Sequence, residues 1–140
     1  MNNPKIIKEA VKIYDPLEER LNVLTHALGW ILSVLALIVM VYYASADGNV
    51  IHIVSFSIFG LSLIFLYAAS TLYHSAKDPN KRKQLRILDH AAIYILISGT
   101  YTPFTMITLY GNIGWTIFAL VWGFAFIGVV LKLFFTGRFN

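Results

Sequence analysis

Four long apolar runs, parted only by short polar breaks, leave few folds open to this 140-residue sequence. They cover about 21–46, 50–75, 87–109 and 115–135. Each reaches or exceeds the ~20 residues a helix needs to cross ~30 Å of hydrocarbon. They are too long for membrane strands and lack strict alternation. The expected fold is all-α: a polytopic membrane helix bundle with four transmembrane helices. Composition agrees. Hydrophobic residues make up 58% and charged ones 13%, against roughly 45–50% and 25% in soluble domains. Ala44-Ser45-Ala46 mimics a signal-cleavage pattern. However, the first run is far longer than the roughly 7–15 residues of a signal core, and an acidic segment precedes it. It reads as a retained span.

The breaks decide orientation. Lys5, Lys8, Lys12 and Arg20 precede the first run, and Lys77, Lys81, Arg82, Lys83 and Arg86 part the second from the third. Lys132 and Arg138 close the fourth, so all 11 basic residues lie at alternate ends of the runs. The positive-inside rule then makes both termini and the middle loop cytoplasmic, in the cytoplasmic (inner) cell membrane. This distribution assigns the net charge of +4 to lipid headgroups, so the expected partners are membrane lipids and no nucleic acid. The absence of cysteine excludes disulfides and thiolate metal sites.

Residues 1–20 read as a cytoplasmic N-terminal segment. Asn3-Pro4 suits a helix start, and Ile6, Ile7, Ala10, Val11 and Tyr14 recur at helical spacing. A short amphipathic surface helix is expected there, ending at Asp15-Pro16, with a solvated arm as the alternative. Asp47-Gly48-Asn49 and Gly111-Asn112-Ile113-Gly114 read as turns, and Lys77 to Lys83 as a polar loop with an Asp-Pro break. Pro103 should kink the third span, with Ser98, Thr100, Thr102 and Thr105 able to satisfy freed carbonyls.

Topology sorts the polar residues by depth. Asn22 and His26 enter the first span, Ser70 and His74 leave the second, and Asp89 and His90 open the third. All lie within one or two turns of the same membrane boundary. Asn22/His26 and Ser70/His74 are i,i+4 pairs, each sharing one helix face. Each member has an ordinary reading: an interfacial histidine for His26, His74 or His90, and a salt bridge to Arg86 for Asp89. His52, at the opposite end, reads as interfacial. Together, imidazole, hydroxyl and carboxylate at one depth are costly enough to suggest function. Imidazole and carboxylate suit zinc, which takes three protein ligands and a water in catalytic sites. A nearby carboxylate can orient or deprotonate that water, and a serine can stabilise an oxyanion.

Glu19-Arg20-Leu21-Asn22-Val23-Leu24-Thr25-His26 resembles the first signature of the haemolysin III family, the bacterial branch of the progestin and adipoQ receptor superfamily. Ser70-Thr71-Leu72-Tyr73-His74 resembles the second. Leu88-Asp89-His90 and Gly99-Thr100-Tyr101-Thr102-Pro103 are similar to the segment that follows. The resemblance implies a seven-helix bundle around zinc, of which four helices are present. It implies His74 as a metal ligand, Ser70 and Asp89 as catalytic partners, and Glu19, Asn22 and His26 as supporting signature residues. The family's other two ligands come from a His-x-x-x-His motif in its last helix, which this sequence lacks. A fragment or truncated product is therefore expected, with weak or absent zinc binding on its own.

The function implied for the full-length form is zinc-dependent hydrolysis of a membrane lipid amide or ester. Two alternatives stand beside it: a pore-forming cytolysin, as the family name suggests, and a membrane-homeostasis sensor or scaffold with a structural metal site.

Overall fold

The computed structural model describes residues 14–46 and 48–135. It contains α1 (Pro16–Ala46), α2 (Val50–Ser75), α3 (Pro79–Pro103, continued by a π-helical stretch, Phe104–Leu109) and α4 (Gly111–Phe135). All four are long and apolar enough to span a membrane, which makes the chain an all-α, multi-pass membrane helix bundle. Most of the expected amphipathic N-terminal helix lies outside the described residues.

The first and third helices start earlier than their apolar runs, because two Asp-Pro pairs open them. Asp15 Oδ1 accepts from the Leu17 N–H (2.9 Å) and Pro16 is the first helical residue. Asp78 Oδ1 accepts from the Lys81 N–H (2.8 Å) ahead of Pro79. An aspartate cap followed by proline at the first helical position satisfies orphan donors and presets φ. Residues 16–20, expected in the N-terminal segment, are therefore the opening of α1. Lys81, Arg82 and Lys83, expected in a loop, lie in the opening turns of α3. Asn49 caps α2 through the Ile51 N–H at 2.9 Å.

Pro103 acts through a different device from a simple kink. The α-helix passes there into the π-helical stretch, where a residue without a backbone N–H interrupts the α ladder. The reversal that follows falls on Tyr110 (φ 41°) and Gly111 (φ 70°), one step before the expected turn. Asn112 to Gly114 already belong to α4.

Packing is sequential: α1 on α2, α2 on α3, and α3 with its π-helical stretch on α4. Among the described residues no comparable seam joins α1 to α4, so the helices form an open row. The interior is made of small side chains such as Ser55, Ser62, Ala69, Ala91, Ala92, Ser98 and Thr102. Leucines, isoleucines and phenylalanines of α1 and α4 face outward. That inversion suits lipid, where close backbone approach replaces hydrophobic burial as the force between helices. At Gly99 a Cβ would fall 2.1 Å from Ser62 Oγ. At Gly29 it would fall 2.6 Å from the Tyr67 ring. Buried hydroxyls bond back to their own helices: Ser33 to the Gly29 carbonyl (2.7 Å) and Thr102 to the Ser98 carbonyl (2.8 Å).

Candidate functional site

At the end of the row that carries the basic residues, three helices meet around Glu19. It lies in the first turn of α1, where a carboxylate favours the positive end of the helix dipole. Its Oε2 accepts from His74 Nδ1 of α2 at 2.8 Å, and its Oε1 pairs with the Arg82 guanidinium of α3. The side chains are only 17%, 10% and 8% exposed for Glu19, His74 and Arg82. Arg82 also reaches the end of α2. Its Nη1 donates to the carbonyls of Tyr73 (3.4 Å) and Ala76 (3.3 Å), and its guanidinium lies 4.7 Å from the Tyr73 ring centre. A cation at a helix C-terminus stabilises carbonyls that have no partner within the helix.

This geometry fixes the histidine's chemistry. A carboxylate paired with a guanidinium is ionised and accepts only, so the proton of His74 sits on Nδ1. Nε2 then points away from Glu19, and in the neutral imidazole it carries the lone pair. Such a carboxylate–imidazole pair serves equally to orient a metal ligand or a base.

The remaining sequence-derived residues divide. His26 of α1 stacks obliquely on His74, with ring centroids 5.7 Å apart, and meets Tyr67 edge-on at 5.8 Å. Its Nδ1 is shielded from solvent without a hydrogen-bond partner. Asp89, half-buried on α3, lies close enough to His26 to act on it electrostatically. Ser70 is buried one turn before His74 on α2. Asn22 is half-buried between Glu19 and His26 along α1, and its carbonyl accepts from Thr25 Oγ1 at 3.2 Å. His90 belongs elsewhere, within electrostatic reach of Lys132 of α4.

Sequence reasoning missed Arg82 and underrated Glu19. Arg82 sat unremarked among loop charges because the helix start at Pro79 was not anticipated. One signal was present: an acidic residue entering an apolar span needs a partner.

Zinc takes three or four protein ligands. Among the described residues no three His, Cys, Asp or Glu side chains converge closely enough to hold a metal ion. Among the described residues, the orphaned His26 Nδ1 beside His74 favours a ligand. Two imidazoles, one already engaged through Nδ1, do not make a zinc centre, so the described residues do not fit this metal unaided.

The chain is 48% identical over 122 residues to Hemolysin-3 of Bacillus cereus, covering 87% of this chain and 56% of that protein. It is 46% identical over 122 residues to the Hemolysin-3 homolog of Bacillus subtilis (strain 168), covering 87% and 57%. The chain thus spans somewhat more than half the length of these curated relatives. No solved structure matches it. The family model described as "Haemolysin-III related" matches residues 14–139, from the residue before the Asp15 cap to beyond α4. The chain belongs to the haemolysin-III related family.

Proposed function

We propose that this chain carries part of the active site of a membrane-embedded hydrolase that cleaves an amide or ester bond of a membrane lipid. The observation that supports this reading most is the His74 Nδ1 to Glu19 contact of 2.8 Å. It leaves an oriented Nε2 at the basic end of the bundle, which the positive-inside rule sets beside the headgroup layer. In this reading Glu19, held ionised by Arg82, keeps His74 in one tautomer. Nε2 accepts a proton from a water adding to the lipid carbonyl and returns it to the amine or alcohol that departs as the C–N or C–O bond breaks; in the alternative it would serve as a metal ligand. Ser70, one turn away, can donate to the developing oxyanion, and Asp89 balances charge near His26. Zinc enters only as a cofactor of the full-length protein, with His74 as the ligand this chain offers.

The relatives' names favour a second reading, cytolysis through a pore. Buried hydroxyls such as those of Ser33 and Thr102 turn back onto carbonyls of their own helices, which is poor lining for a water path. The hydrolase reading is therefore preferred.

The test uses protein purified from its native membrane and placed in nanodiscs with lipid amides and esters, with fatty-acid release read by mass spectrometry. Release should fall at least about a hundredfold in His74→Ala, the scale of a lost positioned base, and only about tenfold in Asp89→Asn, which removes a charge beside His26. Absence of release by the wild type, or release indifferent to His74→Ala, overturns the proposal. Zinc retained by Asp89→Asn without any lipid turnover in the wild type indicates a sensor or scaffold. Dye escape from liposomes without turnover indicates a pore.

A further inference from the structure

The seam between α3 and α4 holds a second group of ionisable side chains that the Glu19–His74 site does not use. The two helices run antiparallel, and contacts along the seam set their register. Trp122 Nε1 donates to Thr102 Oγ1 at 3.0 Å, and Ser98 Oγ donates to the Val121 carbonyl at 3.2 Å. Further toward the basic end, Gly128 lies against Tyr94, where a Cβ would fall 2.7 Å from the ring. One turn beyond, the same register sets Lys132 beside His90. Arg86 follows one more turn along the same face of α3, as the i−4 neighbour of His90. Both Lys132 and Arg86 act electrostatically on His90, as does the adjacent Asp89. Arg86 and Lys132 thus bring two positive charges to the seam against the one negative charge of Asp89, which also acts on His26.

We propose that Arg86, His90 and Lys132 form a binding site for the phosphate of an anionic phospholipid. All three are half-buried and lie at the basic end of the seam, where the apolar run of α3 begins at Ile87. Basic pockets between membrane helices at this depth recognise anionic headgroups. The surface below suits a diacyl lipid rather than free phosphate. Ile93, Tyr94 and Ile97 are 46%, 37% and 48% exposed beside the seam and offer acyl chains an apolar wall. The site is independent of the hydrolase proposal.

The test reconstitutes the chain in nanodiscs of equal parts phosphatidylcholine and phosphatidylglycerol. The protein is then released into mild detergent, and retained lipids are counted by native mass spectrometry. The wild type should keep phosphatidylglycerol in preference to phosphatidylcholine. Lys132→Gln, at the end of α4 where the fold has least to lose, should lower that preference about fivefold, and Arg86→Gln/Lys132→Gln should abolish it. Arg86→Lys should retain it, because the phosphate is met as a charge. Lys77→Gln/Lys83→Gln removes equal charge from exposed positions at the same end and should change nothing. Inorganic phosphate in the wash should leave the lipid bound. The proposal is overturned if neither lipid is preferred or Lys132→Gln keeps full preference. It is overturned equally if the Lys77/Lys83 variant loses as much, marking general surface charge, or if phosphate displaces the lipid.

Discussion

Glu19 and Arg82 show how one ion pair can do three jobs at the edge of a membrane. The carboxylate orients His74, the guanidinium supports the carbonyl end of α2, and together they tie α1 and α2 to α3. Breaking a buried pair from one side leaves the other charge uncompensated, at roughly 3–5 kcal/mol. Arg82→Ala should therefore lower the unfolding midpoint in detergent strongly. Glu19→Gln/Arg82→Met, which removes both charges, should recover most of that loss in the same thermal-unfolding assay. If the double variant is no better than Arg82→Ala, the pair is not the interaction that matters. The recovered double variant should still lose lipid turnover, because His74 no longer has a carboxylate to fix its tautomer.

The helices are held by contacts that leave no room for growth. Gly99 and Ser62 face each other where α3 crosses α2. Gly99→Ala drives a methyl into Ser62 and should destabilise by roughly 1–3 kcal/mol, the usual cost of overpacking. Gly99→Ala/Ser62→Gly should relieve it, and a double-mutant cycle on urea-unfolding midpoints measures the coupling. Between α3 and α4, Thr102→Val deprives the Trp122 indole N–H of its acceptor. A loss of about 1 kcal/mol is expected, the scale of hydrogen bonds between membrane helices. Trp122→Phe in that background should cost little further, since the unmatched donor goes with the indole. Thermal unfolding of the two variants distinguishes these outcomes.

Over the whole molecule, the open row places every described basic side chain at one end and the turns at Gly48–Asn49 and Tyr110–Gly111 at the other. We expect the basic end to face the cytoplasm. The chain has no native cysteine, so single-cysteine labelling gives a clean check. A membrane-impermeant maleimide on intact cells should label Asn49→Cys and Asn112→Cys but leave Lys83→Cys unlabelled until the cells are opened. Labelling of Lys83→Cys from outside reverses the orientation. Much of this scale was legible in advance, because length and hydropathy alone decide which stretches can cross hydrocarbon. The four spans followed from linear spacing and hydropathy, and the family from the resemblance of its signature segments. Helix starts were harder to read, since an Asp-Pro pair can end one element or begin the next and only backbone geometry chooses. Pairing was harder still. Arg82 is one of several cations in a short run, and its selection by Glu19 depends on three helices meeting 63 residues apart in sequence. For the same reason His90 comes within reach of Lys132 of α4 while its neighbour Asp89 acts on His26 as well: adjacent residues on a helix point about 100° apart. By itself the sequence settled what dissolves in lipid, how many times the chain crosses it, and which chemistry lies near the boundary. Which charge meets which was left to the packing of small residues, because close backbone approach sets the rotation of each helix about its axis.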